Sequence, residues 1–187
     1  MDLIGIDVML SIGKGFTLVE LMVTIAIAGV LLSVGIPSLT SLYEGYRAES
    51  EIRKIQQYLM FTRNQAVSYG SRVTMCPLTA SGCGSDWSNG FSIFIDNGTI
   101  RSLDTSNGRT DQILKKIYAI NSSDFLSFAA NSISFTSDGL MATGSSSGTF
   151  AYCPGSQTSP ESRGVDVSPS GKVRFTLGSV TCPSTSN

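Results

Sequence analysis

Apolar side chains run almost without interruption from Leu18 to Ile36, and Glu20 is the only ionisable residue among them. A run of that length and composition can cross a bilayer as a helix. Beyond Pro37 the pattern turns periodic: Ala48, Ile52, Ile55, Leu59, Thr62, Ala66 and Tyr69 recur at alternating spacings of four and three, with Glu49, Glu51, Arg53, Lys54 and Arg63 off that stripe. This is the period of a helix with one apolar face. The pattern predicts that the helix continues amphipathically over 38–70, lays its apolar face on a sheet and ends at Gly70.

From Ser71 the texture changes to short β-prone runs separated by Gly, Ser, Asn and Asp. Arg72–Met75, Phe91–Ile95, Ile113–Ile120, Ser132–Phe135, Thr149–Cys153, Gly164–Val167 and Lys172–Leu177 are the expected strands. Asn97-Gly98, Asp138-Gly139 and Ser170-Gly171 mark hairpin turns. Strands that follow one long helix, without helices between them, predict an α+β chain: a stalk helix packed on a C-terminal antiparallel β-sheet domain over 71–187.

Glu20 is the anomaly in this picture. A carboxylate in a membrane helix costs roughly 2 to 3 kcal/mol on insertion scales, so its presence calls for a partner. The residues before it do not form an ordinary secretory signal, since 1–15 carry one base, Lys14, against Asp2 and Asp7, and no Ala-x-Ala site follows the apolar run. The Lys14-Gly15-Phe16 junction stands in front of that run instead, where cleavage leaves the helix on the product.

Composition narrows the chemistry. The chain has 187 residues, room for one globular domain after the stalk, and a net charge of −1. Without residues 1–15 it is near neutral, so nucleic-acid contact requires a local patch. There is no His. That removes the commonest general base, the Ser/His/Asp arrangement and His-ligated zinc, and no residue set calls for catalysis, a metal or another cofactor. Cys76, Cys83, Cys153 and Cys182 all lie beyond the stalk, and an even count in an exported domain favours disulfides. Of the three possible connectivities, Cys76 with Cys83 and Cys153 with Cys182 is the expected one. Zinc is the weaker alternative, because C-x-x-C is absent.

Gly15-Phe16-Thr17-Leu18-Val19-Glu20 resembles the class III signal of type IV pilins and type II secretion pseudopilins. The resemblance implies that a prepilin peptidase cuts between Gly15 and Phe16, that Phe16 is N-methylated, and that Glu20 pairs with a neighbouring subunit's N-terminal amine during assembly. It divides the chain into a leader (1–15), a membrane-spanning part of the stalk (16–37), an amphipathic part (38–70) and the β-rich domain. Pro37 matches the proline common in pilin stalks. Further matches at Ala66-Val67-Ser68-Tyr69-Gly70-Ser71-Arg72-Val73, Trp87-Ser88-Asn89-Gly90-Phe91-Ser92-Ile93-Phe94 and Ser168-Pro169-Ser170-Gly171-Lys172-Val173-Arg174 extend the likeness over nearly the whole chain, to the GspH/FimT family. That family contains minor pilins of type IV pili and minor pseudopilins of type II secretion. It implies a non-enzymatic subunit anchored once in the inner membrane, with a periplasmic globular domain and other pilin or pseudopilin subunits as partners.

Members of the FimT kind bind DNA for uptake through a C-terminal Gly-Arg-x-Arg motif. The matching positions here are Gly171, Lys172, Val173 and Arg174, with Lys for the first Arg, which keeps the charge but loses the bidentate guanidinium. Double-stranded DNA is thus a candidate partner, and the alternative is a secretion pseudopilin that binds none. The residues by themselves offer a turn at Ser170-Gly171 followed by Lys172 and Arg174 on one strand face. Lys115, Lys116, Arg163 and Arg72 could extend a patch. Trp87 is expected to be an anchor packed before the Phe91 strand. Asp96-Asn97-Gly98 and Asp104-Thr105-Ser106-Asn107-Gly108 lack the EF-hand spacing and read as turns.

Overall fold

The computed structural model describes residues 15–80, 82–104 and 110–183. The leader up to Lys14 and the 105–109 part of the second Asp-rich turn lie outside those residues. One helix, α1 (Leu18–Tyr69), precedes ten strands, β1 (Val73–Cys76), β2 (Leu78–Thr79), β3 (Gly82–Cys83), β4 (Gly90–Ile95), β5 (Gln112–Tyr118), β6 (Phe125–Ser127), β7 (Ile133–Phe135), β8 (Gly148–Cys153), β9 (Arg163–Val167) and β10 (Val173–Phe175). The chain falls into two compact units, 1–40 and 41–187.

In the first unit the helix is apolar and exposed: Leu21, Met22, Val23, Ile25, Ile27, Val30, Leu31, Leu32 and Ile36 all present their side chains to the outside. By length and composition this helix can cross a membrane.

In the second unit the same helix is amphipathic, and the stripe read from the sequence is buried from Ala48 through Ile52, Ile55, Leu59 and Thr62 to Ala66. Tyr69, expected at the end of the stripe, is instead exposed. It is the last helical residue, and the chain leaves the sheet there. Thr62 satisfies its buried hydroxyl by donating to the Tyr58 carbonyl at 2.7 Å. Gly70 stops the helix at φ +61, with Gly70 N–H bonded to Val67 O and Ser71 N–H to Ala66 O, the paired bonds of a Schellman cap.

All strand pairs are antiparallel, in two four-stranded sheets of order β5-β4-β1-β7 and β10-β9-β8-β6, with β2-β3 a separate ribbon. The helix stripe shares one apolar cluster with Val73, Met75, Ile93, Ile133 and Phe135 of the first sheet and with Leu126, Phe150, Tyr152, Val165 and Val167 of the second. Alternation sends Ala151 and Cys153 to the opposite face of β8, where the C-terminal tail covers them with Val180 and Cys182. Disulfides join Cys76 to Cys83, closing the β2-β3 ribbon, and Cys153 to Cys182, tying that tail to β8.

Two buried carboxylates organise the polar interior. Asp124 accepts from Arg47 Nη2 of α1 at 2.8 Å, from Gly155 N–H at 3.0 Å and from the Tyr152 hydroxyl. Burial, then the bond to Asp124, pushes the Tyr152 hydroxyl well above its ordinary value. Asp96 accepts from Arg72 Nη2 at 3.0 Å, Thr74 Oγ1 at 2.7 Å and Arg101 N–H at 3.1 Å. It fixes the start of the loop after β4.

Candidate functional site

Gly15 and Phe16 lie just ahead of α1, and Phe16 is 80% exposed. Thr17 caps the helix: its Oγ1 accepts from Glu20 N–H at 3.2 Å, which makes Thr17-x-x-Glu20 the sequence form of a capping box. Glu20 therefore stands in the first turn, where the helix dipole favours a carboxylate. Around it Leu18, Val19, Leu21 and Met22 are exposed, so the carboxylate is set in an apolar surface.

The C-terminal cations sit on a tight turn. Ser168 N–H donates to Lys172 O at 3.0 Å, Gly171 N–H to Ser168 O at 2.9 Å and Lys172 N–H to Ser168 Oγ at 3.1 Å. Gly171 has φ +73, and a Cβ there would lie 2.4 Å from Gly139 O and 2.9 Å from Arg63 Nε, so both conformation and space require glycine. The expected strand Lys172–Leu177 is shorter than its pattern. β10 begins at Val173, which leaves Lys172 in the turn and restricts strand alternation to Val173–Phe175. Val173 packs on the core, and Phe175, on the same face, carries the Arg53 guanidinium 5.2 Å from its ring centre. Arg174 is exposed on the opposite face, directly across from Asp166, which also accepts from Thr149 Oγ1.

Sequence reasoning left out Arg63, treated only as one of the charges off the helix stripe. Its Nε donates to Gly139 O at 2.8 Å, and it lines a cleft of about 240 Å³ with Met60, Asn64, Ser170, Gly171, Lys172 and Val173. The signal was available only in part, because one helical turn beyond Leu59 and a glycine turn far along the chain meet only in the fold. The other cations weighed as extensions are engaged elsewhere. Arg72 is paired with Asp96, Arg163 lies 3.6 Å from Glu161, and Lys115 Nζ lies over the rings of Tyr58 and Phe61 at 5.0 and 5.7 Å.

Trp87 is fully buried among Phe91, Phe128 and Phe150, with its indole N–H bonded to Ala130 O at 3.0 Å; it is an anchor. Asp104 and Asp111 bond backbone N–H groups of their own loop, and no metal-binding cluster occurs among the described residues.

The family comparisons match these features. A profile described as Type II transport protein GspH matches residues 51–171, and one described as Prokaryotic N-terminal methylation motif matches residues 13–36. The crystal structure of the Pseudomonas aeruginosa type IV minor pilin FimU superposes with a TM-score of 0.56 at 19% identity, covering 74% of this chain and 96% of that one. A second crystal form of FimU gives 0.54 at 20%, covering 72% and 99%. The type IV major fimbrial protein FimA of Dichelobacter nodosus is 43% identical over 47 residues, 25% of this chain and 28% of FimA, so the chain spans little more than a quarter of that relative.

An apolar helix running into an antiparallel β domain, headed by a methylation motif, defines a type IV pilin-like subunit, a minor pilin or pseudopilin of a type IV pilus or a type II secretion system. The chain belongs to the GspH family. Its family and fold are those of structural pilins, membrane-anchored by the N-terminal helix and assembling with other pilin subunits.

Proposed function

We propose that this chain is a minor subunit that enters a type IV pilus-like filament by its N-terminal helix after a prepilin peptidase cuts between Gly15 and Phe16 and Phe16 is N-methylated. The observation that carries the reading is the apolar exposed surface of the first helix unit with Glu20 as its only carboxylate. Such a surface needs lipid before assembly and neighbouring helices afterwards, and a carboxylate within it needs a cation, which a neighbour's N-terminal amine supplies. In this reading the helix spans the inner membrane once and the disulfide-bonded domain is periplasmic. Mass spectrometry of the chain from cells tests it: the expected product begins at N-methyl-Phe16, and a retained leader or a cut beyond the apolar run overturns it.

The exposed Lys172 and Arg174 favour a second role, contact with the backbone of double-stranded DNA. So few cations give weak binding insensitive to base sequence, on the order of 10⁻⁴ to 10⁻⁶ M at physiological salt. Fluorescence anisotropy of a labelled duplex with the mature chain in detergent micelles tests it. No binding at low salt removes this role and leaves the secretion pseudopilin without nucleic acid.

A further inference from the structure

Arg63 differs from the other half-buried arginines. Arg47 and Arg72 each end on a fully buried carboxylate, and Arg163 lies beside Glu161. Arg63 has no carboxylate partner among the described residues, yet its guanidinium is fixed in place: Nε donates to Gly139 O at 2.8 Å, and the Gly171 backbone closes over it. The nearest acid in sequence, Asp138, is exposed and turned into its own loop, where bonds from the Thr136 hydroxyl and Leu140 N–H hold its carboxyl below the ordinary range. A planar donor group, oriented and lacking an anion, is a prepared half of an ion pair.

The cleft it lines supplies the rest. Lys172 adds a second cation, Ser170 and Asn64 add a hydroxyl and an amide, and no lining residue is acidic. At about 240 Å³ the space is below the usual range of small-molecule pockets, roughly 300 to 1,000 Å³, and suits a single ionic group. Arg174 is placed otherwise. It faces Asp166 across the β9-β10 pair, and opposite charges at such positions attract one another, so its charge is the less available to a ligand.

We propose that Arg63 and Lys172 form the seat of one phosphodiester group, with Ser170 and Asn64 at its rim; this rests on the DNA reading above and moves the main contact from the strand to the helix side of the turn. Gly171 then has a definite task. Its missing Cβ lets the turn close on the guanidinium, and Lys172 is thereby brought to the same cleft.

The test uses the mature full chain in detergent micelles, with a labelled duplex followed by anisotropy at several salt concentrations and inorganic phosphate followed by the Arg63 Nε–H resonance. Removing one phosphate contact lowers the slope of log affinity against log salt by about 1. Arg63→Gln and Lys172→Gln are each expected to show that loss, Arg174→Gln a smaller one, and Lys116→Gln none. Asn64→Glu puts a carboxylate at the exposed rim without touching the Arg63–Gly139 bond, and is expected to weaken binding with the melting temperature unchanged. If the native chain binds duplex while Arg63→Gln and Asn64→Glu bind as well as it does, the seat is overturned and the DNA reading stands. If no duplex binds but phosphate shifts the Arg63 resonance, the seat stands and the DNA reading falls. Neither response overturns both.

Discussion

The two units treat one continuous helix in opposite ways. Over its first part nearly every side chain is apolar and exposed, so the helix has no self-supplied partner there. Over its second part apolar residues are confined to one stripe, and Ile52, Leu59 and Ala66 are each fully buried against both sheets. Even the charges follow this division. Glu20 sits in an apolar surface with Thr17 as its local contact, whereas Arg47 ends on Asp124 inside the domain. A uniform apolar surface is the pattern of a segment meant for lipid or for other helices, and a stripe is that of a segment folded onto its own chain.

The strongest way to break the comparison is Glu20→Ala. If the first part depends on neighbours, the variant fails to enter filaments while the thermal unfolding of the β domain is unchanged; incorporation is measured in sheared filament fractions and unfolding by circular dichroism of the mature chain. Normal incorporation would show that the carboxylate has only its local place in the helix cap. Leu59→Ala probes the other part. It deletes a fully buried side chain of the stripe and is expected to cost about 2 to 5 kcal/mol, read as a fall in the denaturant midpoint. A change below about 1 kcal/mol would mean that the stripe is not docked as described.

Much of this division was legible in the sequence, because continuous and periodic apolar patterns are local signals. The stripe from Ala48 to Ala66 and the stop at Gly70 needed nothing beyond spacing and one glycine. The strands were recovered where β-branched and aromatic residues cluster, but β6 was missed: Phe125-Leu126-Ser127 follows Asn121-Ser122-Ser123-Asp124 and reads as part of a turn. The ribbon β2-β3 was missed as well, since two-residue strands inside a disulfide loop carry no period. Long-range polar contacts were the least legible. Asp124 looks like a turn residue until Arg47 and Tyr152 arrive from distant positions, and Arg63 looks like a solvated charge until the Gly171 turn folds over it.

Asp124 sharpens the comparison on its polar side. Asp124→Asn keeps the shape but leaves Arg47 without its anion, and removing one partner of a buried pair costs about 3 kcal/mol, the low end of the range because the Arg47 side chain keeps 21% of its surface. Chemical denaturation of the mature chain measures this. Stability equal to that of the native chain would mean that the helix is held by its apolar stripe alone.

Tyr152 gives the smallest effect and a distinctive one, a slope against pH. Its hydroxyl is raised above the ordinary value of 10.0 by burial and then by its bond to Asp124, so the folded chain keeps this proton at a pH where the unfolded chain releases it. The unfolded state then binds fewer protons than the folded state, and the sign follows: the contribution is fully present below about pH 10 and is lost as pH rises beyond it, by up to about 1.4 kcal/mol per pH unit. Tyr152→Phe removes the titrating group and, at neutral pH, costs about 1 kcal/mol for the lost bond. The difference in stability between the native and variant chains should therefore be flat from pH 7 to about pH 9.5 and shrink above it, other tyrosines and lysines cancelling because both chains carry them. Parallel curves through pH 11 would mean that Tyr152 ionises alike in both states, and that the hydroxyl is open to water and not closed against Asp124.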